Sequence, residues 1–176
     1  MNRQMKKIAE EVVLVDKNDN VLGYKDKLEA HKNPVQLHRA ISAIIFDPQN
    51  TKVLIQKRSA FKPTWPLFWS GTVCTHPRRG ESYLASTKRR LMEELGINSD
   101  VMEKFKFIYK AKYNKTYGEY ELDRVFTGNY SGEIKPDPKE VSDHKWIEIS
   151  ALKRDFKNNP SSYTPWFIKI VKKLKI

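Results

Sequence analysis

The chain of 176 residues has a single cysteine, Cys74. One thiol forms no internal disulfide, which suits a reducing cytosol, so the expected location is cytoplasmic. No apolar run approaches the roughly 18 residues of a membrane-crossing helix, and no membrane span is expected. The opening stretch MNRQMKKIAEEVVLVDKND has basic residues but neither the apolar core nor the small-residue cleavage site of a signal peptide. Internal repeats, low-complexity tracts and Gly/Ser linkers are also missing. Nothing therefore divides the chain, and residues 1–176 are expected to form one domain, with 1–9 as a flexible N-terminal extension.

What is there suits a globular protein: 39% of residues are hydrophobic and 11% aromatic. The formal net charge is +12. Such a charge fits a nucleic acid, a small phosphate-rich substrate drawn in by the summed field, or merely a lysine-rich surface that keeps the protein soluble. A nucleic-acid surface groups its basic residues with exposed aromatics. Here the lysines are spread along the whole chain, so no nucleic-acid partner is expected.

Periodicity gives the coarse structure. Glu11–Val15 predicts a first strand. His38–Phe46 (HRAISAIIF) is apolar almost throughout, like a strand buried on both faces; DPQN supplies a turn and Lys52–Lys57 a hairpin partner. Residues 82–95 predict a helix, with Ser82 as cap, Leu84, Lys88, Leu91 and Leu95 at spacings of four and three, and Gly96 as stop. Phe105–Tyr113 alternates with period two, and Glu119–Phe126 and His144–Ile149 read as further strands. The tail predicts a helix capped by Thr164, with Pro165 in its first position and Trp166, Ile170 and Leu174 on one stripe. Strands before and after a central helix predict an α/β (α+β) fold, a mixed sheet between helices.

The lone thiol lies in TVCTHPRRGES, two residues before His76. His31 and His38 sit in AHKNPVQLHRA. In YGEYELD, Glu119 and Glu121 share a strand face, about 7 Å apart at their Cα atoms. Paired carboxylates repel unless a proton or cation neutralises one. Three histidines and two glutamates suit an octahedral N/O site for Mn²⁺ or Mg²⁺, and Zn²⁺ takes the same ligands. An exposed edge strand bridged to lysines accounts for the glutamates equally well. On the central helix, Arg90 and Glu94 share a face, as do Arg89 and Glu93.

Glu81 to Ile97 (ESYLASTKRRLMEELGI) resembles most of a Nudix box, the pattern G, five residues, E, seven residues, R-E-U-x-E-E-x-G-U with U aliphatic. Glu81, Arg89, Leu91, Glu93, Glu94, Gly96 and Ile97 match, while Thr75 replaces the Gly and Arg90 replaces a Glu. In Nudix hydrolases that Glu helps to hold Mg²⁺ against a diphosphate; an Arg binds a diphosphate directly but ligates no cation. Nearly the whole chain resembles the type 1 isopentenyl-diphosphate isomerases, Nudix-fold enzymes of isoprenoid synthesis. The segments that carry the likeness, in order, are QLHRAISAIIF, LIQKRSAFKPTWPLFWSGTVCTHP, GES, RRLMEELGI, EYELDRVF and YTPWF.

The resemblance implies the following roles. Cys74 and Glu121 match the catalytic pair, Tyr109 the tyrosine that bonds the glutamate, and Trp166 the tryptophan over the hydrocarbon end of the substrate. His31, His38, His76, Glu119 and Glu121 match the ligands of a first metal, Mn²⁺ or Mg²⁺ or Zn²⁺. Glu94 matches the residue that holds a second Mg²⁺ arriving with the diphosphate. Lys27, Arg58, Lys62 and Arg90 match the basic groups around that diphosphate. Gly71 stands where bacterial relatives usually carry Asn. The implied partner is a small-molecule diphosphate, and the implied assembly is a monomer or weak homodimer. The implied activity is the interconversion of isopentenyl and dimethylallyl diphosphate through a tertiary carbocation; the sequence leaves open which of Cys74 and Glu121 gives the first proton, with Glu121 favoured as donor and Cys74 as base. The nearest alternative is a Nudix hydrolase of a diphosphate compound, against which Arg90 and the Cys–His pair speak. A thiol redox sensor lacks a second cysteine to resolve a sulfenic acid.

Overall fold

The computed structural model describes residues 10–176; the expected extension over 1–9 lies outside them. Strand β1 (Glu11–Val15) returns as β2 (Val21–Asp26) around a turn in which Asp16 Oδ1 accepts from the amides of Asn18 and Asn20. A short helix, α1 (Lys27–His31), follows. Asp26 caps it by accepting from the Glu29 amide at 3.1 Å. Then come β3 (His38–Phe46), β4 (Lys52–Arg58), β5 (Trp69–Ser70) and β6 (Val73–Thr75). Helix α2 (Tyr83–Leu95) precedes β7 (Val101–Lys112), β8 (Gly118–Asn129) and β9 (Val141–Glu148). The chain ends in α3 (Ile149–Asn158), a 3₁₀ turn (Pro160–Ser162) and α4 (Pro165–Leu174).

The nine strands of the described residues join one mixed sheet. Its axis is β3, the aliphatic run of the sequence. One edge of β3 is taken along its length by β8, in parallel, with His38 opposite Glu121. The other edge is divided among β1 at His38, β6 at Ile41–Ala43 and β4 at Ile45–Phe46, all antiparallel. Alternation sends successive β3 residues to opposite faces. Ile41, Ala43 and Ile45 pack with Leu91 and Leu95 of α2. Ile44 and Phe46 pack with Leu152 of α3 and with Phe167, Ile170 and Val171 of α4. The sheet is thus covered by helices on both faces, as the sequence predicts.

The predicted α2 start and stop are met. Ser82 Oγ accepts from the Ala85 amide at 3.1 Å, and Gly96 takes a left-handed φ of 68°. Thr164 departs from expectation. It precedes α4 but makes no capping bond, because its hydroxyl lies 3.1 Å from that of Ser70 in the buried core. The last predicted strand also ends earlier: Ile149 opens α3 instead of closing β9.

Candidate active site

The site lies on the α4 side of the sheet, where His38 and Ser42 share a β3 face with Ile44. Strand β8 is an interior strand between β3 and β7, so Glu119 and Glu121 are buried and do not lie on an exposed edge. Alternation adds Asp123 to the same face. Helix α1 brings His31, β6 brings Cys74, and His76 follows just past the end of β6.

Three histidines and two glutamates converge. One donor atom from each of His31, His38, His76, Glu119 and Glu121 lies within 4.8 Å of the others. His31 Nδ1 donates to the Lys27 carbonyl at 2.6 Å, and His38 Nδ1 donates to the Gln36 carbonyl at 2.7 Å. In its neutral form, each ring with its proton on Nδ1 has a lone pair on Nε2. His31 Nε2 faces Glu119 Oε2 at 2.7 Å, and His38 Nε2 faces Glu121 Oε1 at 3.6 Å. The buried His38 Nε2 and Glu119 Oε2 have no hydrogen-bond partner. Lone pairs aimed at one another in a buried space need a proton or a cation between them. The donor set therefore fits a divalent cation taken up by nitrogen and oxygen.

Protonation follows the same geometry. Burial works against charge on His31, but Glu119 beside it raises its pKa. Burial holds His76 well below the usual imidazole value, so its ring is neutral and available as a ligand. Burial also opposes charge on Glu121, yet His38 and His76 hold it well below the carboxylate range. His76 Nε2 lies 2.9 Å from Glu121 Oε1, and the Tyr109 hydroxyl donates to Oε2. Tyr109 stands directly opposite Glu121 in the β7–β8 ladder, and burial pushes its pKa well up.

Cys74 reaches the same cavity from the opposite edge of β3, lining it with Glu121, Tyr109 and Trp166. Burial pushes its thiol up to about 11, so the sulfur keeps its proton at neutral pH. Ser42 Oγ lies 3.4 Å from Cys74 Sγ and donates to Asp123 Oδ2 at 2.8 Å; Ser70 Oγ lies 3.6 Å from the sulfur. Trp166 is fixed by Trp65, edge to face at 5.1 Å, and by Tyr109, stacked at 6.1 Å. Lys27, Arg58 and Lys62 line the cavity, and Arg58 lies over the Trp166 ring at 5.4 Å.

Two expected residues stand apart from this group. Glu94 is buried on the α2 side, where Gln56 Nε2 donates to its Oε2 at 2.9 Å and Arg90 to its Oε1 at 2.7 Å. Arg90 does not line the cavity; Glu140 links it to Lys62, at 3.1 Å from Arg90. Sequence reading missed Ser42, Thr64 and Asp123. The alternation in EYELD was signal enough for Asp123, two residues beyond Glu121.

The NUDIX domain family pattern matches residues 36–167. Isopentenyl-diphosphate Delta-isomerase 1 of Photorhabdus laumondii is 42% identical over 162 residues, covering 91% of this chain and 92% of its own length. Isopentenyl-diphosphate Delta-isomerase 1 of Aromatoleum aromaticum is 40% identical over 159 residues, covering 90% and 89%. This chain belongs to the isopentenyl-diphosphate Delta-isomerase family. Among solved structures, a Deinococcus radiodurans protein superposes with a TM-score of 0.76 at 17% identity, covering 93% of this chain and 98% of its own. A MutT protein of Methanosarcina mazei gives 0.65 at 15% identity. These likenesses place the isomerase family member in the Nudix fold. No helix among the described residues is long and apolar enough to cross a membrane.

Proposed function

We propose that the protein interconverts isopentenyl diphosphate and dimethylallyl diphosphate. The observation that carries the reading is the convergence of Cys74 and Glu121 on one cavity from the two edges of β3, with Trp166 and three basic side chains around it. Moving the terminal double bond adds a proton at C4 and removes one from C2. An acid and a base must therefore approach a flat alkene from different sides.

Cys74 and Glu121 are the pair that exchanges these protons. Tyr109 holds Glu121 Oε2 and keeps the carboxylate aimed. The Trp166 indole supplies a π face to the tertiary cation, and the surrounding aromatic wall keeps out the water that would trap it. Lys27, Arg58 and Lys62 take the diphosphate, which anchors the substrate while the hydrocarbon end reacts. His31, His38, His76, Glu119 and Glu121 would hold a Mn²⁺ or Mg²⁺ ion, which would supply positive charge beside the reacting carboxylate. Glu94, apart from the cavity and with its two oxygens held by Gln56 and Arg90, would hold a second Mg²⁺ entering with the diphosphate only by giving up one of those partners.

The resting pair is a thiol on Cys74 and a carboxylate on Glu121. Each turnover takes one proton from the donor and leaves one on the base, so one proton must cross back between turnovers in either order: from Cys74 to Glu121 before the reaction if Glu121 is the first donor, and from Glu121 to Cys74 after it if Cys74 is.

The deciding assay incubates the protein with isopentenyl diphosphate and Mg²⁺. Formation of dimethylallyl diphosphate supports isomerisation. Release of phosphate without it supports a diphosphate hydrolase and overturns the proposal.

A further inference from the structure

The loop between β4 and β5 contributes Lys62, Pro63 and Thr64 to the cavity wall. Near its middle, Thr64 is 4% exposed, and its hydroxyl donates to Glu119 Oε1 at 3.0 Å. That bond occupies one oxygen of Glu119 and leaves Oε2 turned to His31, without a hydrogen-bond partner. A hydrogen-bonded partner behind a ligating carboxylate fixes its rotamer and raises metal affinity.

The same loop is fastened at its start. The Ser59 amide donates to the Glu140 carbonyl at 3.0 Å, and Ser59 Oγ donates to the Lys139 carbonyl at 2.7 Å. The Lys62 ammonium grips the Glu140 carboxylate. Arg58 donates to the loop carbonyls of Thr64 and Trp65, at 2.9 and 3.0 Å. Trp65 holds a left-handed φ of 43° while its ring is buried against Trp166. A bulky residue keeps that conformation only where its surroundings over-determine it. The loop is therefore a stiff bracket between the Glu140 turn and Glu119, and it carries Lys62, with Arg58 at the end of β4 just before it.

We propose that Thr64 is a positioning residue for Glu119 that sets the divalent-cation affinity of the His–Glu group, and that its loop transmits to that group the grip of Glu140 on Lys62. The inference rests on the reading of that group as a cation site.

The test measures Mn²⁺ binding to the full chain by electron paramagnetic resonance, without substrate, so it does not depend on turnover. Thr64→Val keeps the shape and loses the hydroxyl; it should weaken Mn²⁺ binding by about tenfold or more, and although the unpaired Glu119 Oε1 lowers the melting temperature somewhat, the protein stays folded at the temperature of the binding measurement. Thr64→Ser keeps the hydroxyl and should bind Mn²⁺ like the parent. Glu140→Gln should weaken binding alone but add nothing in the Thr64→Val background, because the bracket is already cut. Parent-like affinity in Thr64→Val, equal losses in the Val and Ser variants, or an equal effect of Glu140→Gln in both backgrounds overturns the proposal. A parent that binds no Mn²⁺ overturns it together with the cation site. A parent that binds Mn²⁺ with the expected variant pattern, yet makes no dimethylallyl diphosphate, leaves it standing and defeats the isomerase reading alone.

Discussion

Tyr109 stands directly opposite Glu121 in the antiparallel pairing of β7 with β8, and its hydroxyl donates to Glu121 Oε2. The neighbouring oxygen of the same carboxylate faces His76. Each oxygen of Glu121 thus has its own partner, and the carboxylate is locked in place. Tyr109→Phe leaves Oε2 buried without a donor. The variant should lose about 10- to 100-fold in kcat and about 1–3 kcal/mol of stability. Steady-state kinetics and urea unfolding check the two numbers separately.

Glu140 predicts a pH signature in stability. Burial works against its charge, but Lys62 and Arg90 outweigh that and pull it to about 2, against an ordinary glutamate value of about 4.3. A depressed carboxylate stabilises the fold above its ordinary value, and that contribution is lost as pH falls toward the folded value. Glu140→Gln should therefore be less stable than the parent at pH 7. The gap should close between about pH 4.3 and about pH 2. Urea midpoints over that range are the check; a gap independent of pH contradicts the assignment.

Gly71 stands where relatives are expected to carry Asn, and the structure gives a reason for glycine here. A Cβ at this position would lie 2.7 Å from Ile44 Cδ1 and 3.4 Å from Phe167 Cδ2. Gly71→Ala should cost about 1–3 kcal/mol by overpacking. Ile44→Val removes the clashing methyl, so the double variant should be more stable than the sum of the two single costs predicts. Thermal unfolding of the four proteins tests the pairing.

The parts of this fold that were legible are those set by local chemistry. HRAISAIIF reads as a strand buried on both faces and is one, and Ser82 and Gly96 bracket α2 through backbone bonds within one turn. The alternation of Glu119 and Glu121 put both on one face, and β8 keeps them there. What was missed depends on partners far along the chain. The two-residue β5 exists through its pairing with β4. Thr164 looks like a cap in sequence, but Ser70 claims its hydroxyl. Thr64 carries no signal, because its partner Glu119 is 55 residues away.

Trp166 meets the cavity with its ring fixed on two sides. A π face attracts the substrate only once positive charge develops, so it acts on the transition state more than on binding. At about 2 kcal/mol for a desolvated contact, Trp166→Leu should lower kcat by about thirtyfold. KM should move much less. A variant that raises KM with kcat unchanged would mark the ring as a binding wall only.

The central claim is that Cys74 and Glu121, on strands flanking β3, trade protons across one small hydrocarbon. The most direct measurement follows isopentenyl diphosphate in D₂O with Mg²⁺ by nuclear magnetic resonance. The parent should yield dimethylallyl diphosphate carrying deuterium in a methyl group. Cys74→Ala and Glu121→Gln should each slow label and product together by about 10²- to 10⁴-fold, with Cys74→Ala still folded and still binding Mn²⁺. A Cys74→Ala protein that delivers labelled product near the parent rate contradicts the account.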